Sequence, residues 1–236
     1  MRIPRIFYPF EKEEKISINL DIASSHHLKV INIKEEQDVE LFNGNGYFFN
    51  AKVIKQNKKN ISLERISDIN FQKKQIPSIN IAVAEIKSFD KVIREVCQSG
   101  IDSISSLKTK KTKFSKLPNE KKILRWNSIA FNSCEQSGLN WVPKIYSCPL
   151  QEWVTLSKSK CKIFLDPKAK NNIQDLELFS SIDLAIGPEG GFSEEEKNFF
   201  KKNNFKGISC GNLTFRTETM PIVALSMIKA LYGVKK

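Results

Sequence analysis

The strongest constraint on the fold is a change of period near residue 79, where short apolar segments begin to alternate with segments of helical spacing. From Phe89 to Cys97, the apolar side chains fall at i, i+3, i+4, i+7 and i+8, which is one face of a helix. Strands that alternate with helices are typical of a largely parallel sheet, so we predict an α/β domain over residues 79–236. The predicted strands are residues 79–84, 103–107, 144–147, 162–165, 182–186 and 205–209, and further helices are predicted near residues 123–134 and 219–232.

Residues 1–74 have a different pattern, which predicts a small β-barrel. Gly44-Asn45-Gly46 joins two of its β-like runs and is a strong hairpin signal, because Gly and Asn tolerate positive φ. A polar stretch at residues 72–75, followed by Pro77, is the predicted linker. We therefore expect two domains, residues 1–74 and residues 79–236. The β-like runs are residues 15–20, 39–43, 47–55 and 61–67, and one short helix is predicted at residues 24–31.

The positive charge of the chain is concentrated in its middle part. The formal net charge is +12, and residues 75–170 hold 17 Lys and Arg against 8 Asp and Glu. Such a field attracts phosphates and indicates a nucleic-acid partner. A solvated loop in a lysine-rich protein gives the same pattern, so that alternative stays open. The densest cluster consists of Lys108, Lys110, Lys111, Lys113, Lys116, Lys121 and Lys122, opposed locally by Glu120.

The inventory of residues excludes several classes of enzyme. The two histidines, His26 and His27, both lie in the N-terminal region, so neither a histidine-based triad nor a His-rich metal site is expected in residues 79–236. Neither a P-loop, a GxGxxG fingerprint nor a GxSxG elbow is present. The five cysteines are too far apart for a CxxC site, so we expect buried free thiols and no metal. No apolar run is long enough to cross a bilayer and no signal segment is recognisable, which predicts a cytoplasmic protein.

Two loops are candidates for chemistry. The first, residues 187–191, contains three glycines directly after an apolar strand, and such a loop lets a ligand approach the carboxyl edge of a parallel sheet. Ser193 and Glu196 then form a capping box that begins the next helix. A tight strand-to-helix turn without a ligand is the alternative interpretation of this loop.

The second loop, residues 210–219, also follows a strand and precedes a helix. Arg216, Thr217 and Glu218 are expected beside the N-terminus of that helix, where free N–H groups favour anionic or polar ligand atoms. Two such loops at neighbouring strand ends would form one pocket. A local ion pair of Arg216 with Glu218 that orients the loop is the alternative interpretation.

These motifs together resemble the RsmE family of 16S rRNA uridine-N3 methyltransferases over essentially the whole chain. The resemblance implies an N-terminal PUA-like RNA-binding barrel and a C-terminal SPOUT domain with a trefoil knot. It also implies a homodimer that uses S-adenosylmethionine (SAM) to methylate the m3U1498 position of 16S rRNA in the small ribosomal subunit. Three arginines of the family pattern are replaced by Asn32, Leu139 and Leu213. The motifs are Gly187-Pro188-Glu189-Gly190-Gly191-Phe192-Ser193 with Glu196, Arg216-Thr217-Glu218-Thr219, Cys134-Glu135-Gln136-Ser137, Val142-Pro143 and Met1-Arg2-Ile3-Pro4-Arg5-Ile6-Phe7.

The resemblance also assigns roles to residues. Arg216 is expected to hold the uracil anion, and Glu218 either removes the N3 proton or orients the arginine. Two other functions stay open: methylation of another RNA position, such as a ribose 2′-OH, and a non-catalytic role in rRNA binding or assembly. The residues expected to bind the cofactor are Leu165, Ile186, Gly187, Pro188, Glu189, Gly190, Gly191, Cys210, Gly211, Asn212, Leu213, Phe215 and Thr219. Those expected to bind RNA are Arg2, Arg5, Lys29, Lys108, Lys110, Lys111, Lys113 and Arg125.

Overall fold

The chain folds into two units, and each is built on its own six-stranded sheet. The computed structural model describes residues 3–11, 16–57, 60–113, 116–213 and 215–232, apart from the side chains of Ala23 and His26. The N-terminal unit comprises residues 1–74 together with residues 131–142, and the C-terminal unit comprises residues 75–130 and 143–236. The division predicted from the sequence is linear and does not anticipate the transfer of residues 131–142 to the N-terminal unit.

The sheet of the N-terminal unit is mostly antiparallel. Its order is β1-β3-β4-β5-β2, and β6 pairs with β4. The hairpin predicted at Gly44-Asn45-Gly46 is confirmed, because Gly44 and Gly46 have φ of 76° and 89° in the turn between β3 and β4. The sequence pattern did not predict the short strands β1 and β6. The elements are β1 (Arg5–Phe7), β2 (Ser17–Asn19), α1 (Ile22–Val30), β3 (Asp38–Phe42), β4 (Tyr47–Gln56), β5 (Ile61–Arg65) and β6 (Asn70–Phe71).

Arg5 joins β1 to the segment 131–142 within the N-terminal unit. Only 9% of Arg5 is exposed, and its guanidinium forms an ion pair with Glu40 and donates to Asn140 Oδ1 and to Cys134 O, the last at 3.0 Å. The ring of Phe7 stacks on Phe131, with 4.0 Å between the centroids. The donors of Arg5 are buried and already occupied by protein acceptors, so these contacts support a structural role for Arg5, and its role in RNA binding stays a prediction.

The sheet of the C-terminal unit is entirely parallel, as predicted, with the order β12-β10-β11-β7-β8-β9. Its predicted strands and helices are all confirmed, with small changes at their ends. The helix α4, which the sequence pattern did not predict, covers part of one sheet face with Leu150 and Val154. The elements are β7 (Ser78–Ala84), α2 (Phe89–Cys97), β8 (Ser103–Lys108), α3 (Glu120–Ser137), β9 (Lys144–Pro149), α4 (Leu150–Leu156), β10 (Cys161–Leu165), β11 (Ser181–Ile186), α5 (Glu194–Lys202), β12 (Lys206–Ile208) and α6 (Met220–Tyr232). The last part of α3, from residue 131, belongs to the N-terminal unit.

Aromatic packing holds α5 against the sheet. The ring of Phe200 on α5 stacks on Phe164 of β10 with 4.8 Å between the centroids, and Phe192 meets both rings edge to face. Buried aromatic pairs of this kind contribute about 0.5–1.5 kcal/mol beyond the burial of their area. The loop between β11 and α5 is therefore held in place at its C-terminal end, where Phe192 packs in the core. Among the described residues, no helix is long and apolar enough to cross a membrane.

Replacement of Arg5 tests the structural role assigned to it. Arg5→Met should lower the free energy of unfolding by about 3–5 kcal/mol, because Glu40 and the carbonyl group of Cys134 lose a buried partner. Urea unfolding measures this change. The control is Arg94→Met, at an exposed position, which should change stability by less than about 0.5 kcal/mol. A stable Arg5→Met variant with weakened RNA binding would contradict the structural role and support the predicted role in RNA binding.

Candidate functional site

Three neighbouring strands of the C-terminal unit end at the candidate site. β10 lies between β11 and β12, and all three are parallel, so the loops that follow them leave from one edge of the sheet. Leu165 ends β10, Ile186 ends β11, and Cys210 follows β12 by two residues. Adjacent strand ends of an open parallel sheet are the usual position of a ligand site. The structure thus brings the predicted residues Leu165, Ile186–Gly191 and 210–213 to the same edge.

The loop of residues 187–191 after β11 is shaped by its glycines. Gly191 has φ of 62°, a conformation that favours glycine, and its N–H donates to the carbonyl oxygen of Pro188 at 2.7 Å. A Cβ atom at Gly187 would lie 3.2 Å from the backbone nitrogen of Phe192, whereas a Cβ atom at Gly190 would meet only the side chain of Lys111. Gly187 and Gly191 are therefore required by the path of the backbone itself. Gly190 is exposed and leaves room on the loop surface.

The carboxylate of Glu196 fixes this loop to the rest of the unit. Glu196 is 3% exposed, and its two oxygens accept hydrogen bonds at 2.7 Å from the backbone N–H groups of Ser193 and Lys110. The bond from Ser193, with the return bond from Glu196 N to Ser193 Oγ, is the predicted capping box. The bond from Lys110 was not predicted. It ties the loop after β8 to the beginning of α5.

An ion pair connects α5 to the residue that follows β10. Lys197 Nζ lies 2.9 Å from Asp166 Oδ2, and both side chains are largely buried. Burial raises the pKa of Asp166. The hydrogen bonds from the Lys197 side chain and the Lys168 N–H together lower the pKa by more than burial raises it, so it lies below its usual 3.8. Asp166 is therefore an ionised anchor for α5 at neutral pH. The loop after β10 and the loop before α5 are held together by this pair.

The loop after β12 is the third loop at this edge of the sheet. Gly211 has φ of 101° and no atom within 4 Å of the position of a Cβ atom, so this loop is open to a ligand. Leu213 is 75% exposed, so its apolar side chain is available to a ligand at this edge of the sheet. Burial raises the pKa of Cys210 to about 11, so its thiol stays neutral and is not a nucleophile at physiological pH.

Arg216 and Glu218 lie immediately before α6, as predicted. The carbonyl oxygen of Arg216 accepts the N–H groups of Thr219 and Met220 at 3.0 Å, which begins the helix. The side chain of Arg216 is exposed, and Glu218 is half-buried. Within the described part of the chain, no ion pair joins the two side chains, which removes the support for the interpretation of Arg216 and Glu218 as a local ion pair. The guanidinium of Arg216 is therefore accessible to a substrate.

The predicted RNA-binding residues differ in their exposure and in their contacts with the protein. Lys111 donates from Nζ to the carbonyl oxygen of Gly190 at 2.6 Å, and Lys110 pairs with Glu195. Arg125 pairs with Asp90, although its side chain is largely exposed. No local pattern predicts these pairings, because the partners are distant in the chain. Lys108 and Lys113 are exposed, Lys29 is half-buried on α1, and Arg2 lies outside the described residues.

One replaced family arginine has a local explanation. Asn32 follows α1 with φ of 55°, in the left-handed region where Asn is several-fold enriched over most side chains. Leu139 contributes its backbone carbonyl oxygen to Arg5, which does not depend on its side chain.

The edge fits a nucleoside cofactor such as SAM. The exposed side chain of Leu213 offers apolar surface for a base, and the open loops at Gly190 and Gly211 expose backbone polar groups. No group of three His, Cys, Asp or Glu side chains among the described residues is placed to hold a metal ion. A cavity of about 570 Å³ lies elsewhere in the unit, and its buried Asp183 already accepts hydrogen bonds from Asn80, Ser157 and Ser159.

Comparison with known families agrees with both units. A family model of the RNA methyltransferase domain matches residues 72–229. A second model, of the RNA methyltransferase PUA domain, matches residues 20–64. The first match covers well over half of the chain and includes every loop of the candidate site.

Individual proteins match over nearly the whole chain. The ribosomal RNA small subunit methyltransferase E of Mesomycoplasma hyopneumoniae is 29% identical and aligns over 93% of this chain and 96% of its own. A Legionella pneumophila protein whose structure contains the bound cofactor SAM is 27% identical, with a TM-score of 0.85 and 98% coverage of both chains. The Neisseria gonorrhoeae ribosomal RNA small subunit methyltransferase E, also bound to SAM, has a TM-score of 0.89 at 22% identity and 98% coverage of both chains, which shows the shared fold.

Glu196→Gln tests the role of the buried carboxylate. The amide replaces one acceptor by an NH₂ group that faces a backbone N–H, so we expect a loss of about 1–3 kcal/mol in the free energy of unfolding and weaker SAM binding. Urea unfolding and a SAM titration measure the two effects. Glu194→Gln, in the same helix turn, is the matched control. Its carboxylate is 80% exposed and pairs with Lys197 at 3.2 Å, so its loss should change stability by about 0.5 kcal/mol or less and leave SAM binding unchanged. Equal behaviour of the two variants would contradict the assignment.

Proposed function

Because the chain belongs to the RsmE family of RNA methyltransferases, we propose that it methylates N3 of one specific uridine in 16S rRNA of the small ribosomal subunit, with SAM as the methyl donor. The observation that carries this proposal is the convergence of three loops at adjacent strand ends, in a chain that matches the RNA methyltransferase domain over residues 72–229. The reaction is expected in the cytoplasm, where the ribosomal subunit is.

The loops after β10, β11 and β12 would hold the cofactor. We propose that the backbone of residues 186–191 and 210–213 contacts it, with Leu165, Phe215 and Thr219 at the borders of the site. When bound, SAM supplies a methyl group on a positively charged sulfur. The neutral thiol of Cys210 fits beside such a group because it does not compete as a nucleophile.

Transfer to uracil N3 requires the loss of a weakly acidic proton, so the protein must stabilise the uracil anion. We propose that the exposed guanidinium of Arg216 donates to a uracil carbonyl oxygen as its negative charge grows. Glu218, half-buried two residues later, would accept the N3 proton or orient the arginine.

RNA binding is assigned to both units. In the C-terminal unit, the exposed Lys108 and Lys113 would meet phosphates, and Lys111 would add its charge, which the carbonyl oxygen of Gly190 does not neutralise. Lys110 and Arg125 would contribute by exchanging their largely exposed ion pairs for phosphate contacts. In the N-terminal unit, which contains the match to the PUA domain, Lys29 is the candidate. Chemistry at N3 needs an unpaired base, so the target uridine must leave its pairing or be unpaired already.

A homodimer is part of the proposal. On α6, Val223, Met227, Ala230 and Leu231 recur at i, i+4, i+7 and i+8 and remain partly or fully exposed. A second copy of the chain would bury this apolar stripe. The trefoil knot implied by the family resemblance stays a prediction.

SAM titration of the purified protein separates an enzyme from a non-catalytic RNA-binding factor. Calorimetry should give saturable heat for the wild-type chain. Absence of heat, with RNA binding intact, would favour the binding factor.

Arg216→Lys should lose most methyl transfer while the affinity for SAM changes little. An ammonium on a flexible stem keeps the charge but cannot reproduce the planar, paired donors of a guanidinium. Loss of one well-placed donor typically lowers the rate by roughly 100- to 1,000-fold, and the effect is expressed in the transition state. Single-turnover rates on unmethylated small subunits, measured beside SAM titrations, test this expectation. Arg94→Lys is the control, and a near wild-type rate for Arg216→Lys would reject the catalytic assignment.

A further inference from the structure

The loop after β8 is attached by one contact to the helix α5 and by another to the candidate cofactor loop, residues 187–191, which precedes that helix. The first is the backbone bond from Lys110 N to the buried carboxylate of Glu196 at 2.7 Å. The second is the bond from Lys111 Nζ to the carbonyl oxygen of Gly190 at 2.6 Å. The first contact places the loop, and the second reaches the exposed surface of residues 187–191. A predicted RNA-binding segment and a predicted cofactor-binding segment are thereby joined through one lysine.

The ammonium group of Lys111 can donate to the carbonyl oxygen of Gly190 and to an RNA phosphate at the same time. A lysine ammonium has three N–H donors, and the carbonyl oxygen of Gly190 takes one of them. The Lys111 side chain is exposed, so an RNA phosphate can take another donor without displacing the carbonyl group. The stem of Lys111 also lies against Gly190, since a Cβ atom at Gly190 would be 3.3 Å from Lys111 Cδ. A phosphate bound there would hold Lys111, and through it the loop, in the observed position.

We propose that Lys111 is a positioning residue that couples rRNA binding to cofactor binding by fixing the loop of residues 187–191 when a phosphate is bound. The inference rests on the proposed function. Coupling between two ligands is reciprocal, so SAM also strengthens RNA binding by the same factor. Couplings of this kind typically lie between roughly 5- and 150-fold, and one exposed side chain places the effect at the lower end, about fivefold.

The test compares two lysines of the same loop. Lys111→Met keeps an unbranched stem beside Gly190 but removes every donor. Lys113→Met is the matched control, because Lys113 is exposed and predicted to meet phosphate, and no hydrogen bond or ion pair of its side chain is seen among the described residues. Lys111→Arg restores donors at the original position. Equilibrium dialysis of labelled S-adenosylhomocysteine, with and without saturating unmethylated small subunits, gives the ratio of the two Kd values for each variant.

We expect a ratio of about five for the wild-type chain and for Lys113→Met. The ratio should fall to about one in Lys111→Met and return in Lys111→Arg. A ratio near one in the wild-type chain, or an unchanged ratio in Lys111→Met, would overturn the coupling. Failure of the proposed function has a different signature, namely no binding of S-adenosylhomocysteine or no methyl incorporation by the wild-type chain, so the two failures are distinguishable.

Discussion

The buried carboxylate of Glu196 is the interaction on which the candidate site depends. It accepts two backbone N–H groups from segments that are far apart in the chain, Ser193 at the start of α5 and Lys110 after β8. A buried carboxylate without such donors would be strongly destabilising, so both segments must keep their positions for the fold to be stable. The loop between β11 and α5 is therefore fixed at Ser193, where the helix begins. Its remaining conformational freedom lies at the exposed Gly190.

Strand order explains why the functional loops are neighbours. β10 precedes β11 in the chain, yet it lies between β11 and β12, so three loops separated by some 20 residues each leave the sheet side by side. The ion pair of Asp166 with Lys197 adds a cross-connection between two of them. A cofactor at this edge would contact backbone that is anchored to the core through Phe164 and Phe200, so little ordering is needed when it binds.

Local patterns predicted what depends on local physics. The helix face from Phe89 to Cys97, the hairpin at Gly44 and Gly46 and the capping box at Ser193 all follow from spacing and backbone preference, and all are present. What the sequence missed depends on pairings between distant residues. Arg5 was assigned to RNA by the family motif, whereas its partners include Cys134 and Asn140, and the attachment of Lys111 to Gly190 has no counterpart in any local pattern. Roles of Arg216 and Glu218 toward RNA are predictions that rest on family resemblance and accessibility.

Mass mapping of 16S rRNA from a strain that lacks this gene tests the central claim most directly. The account predicts that one uridine loses a methyl group from its base, that the wild-type gene restores it, and that every other modified position is unchanged. A full set of methylated uridines in the deletion strain, or a methyl group lost from a ribose in place of a base, would contradict it.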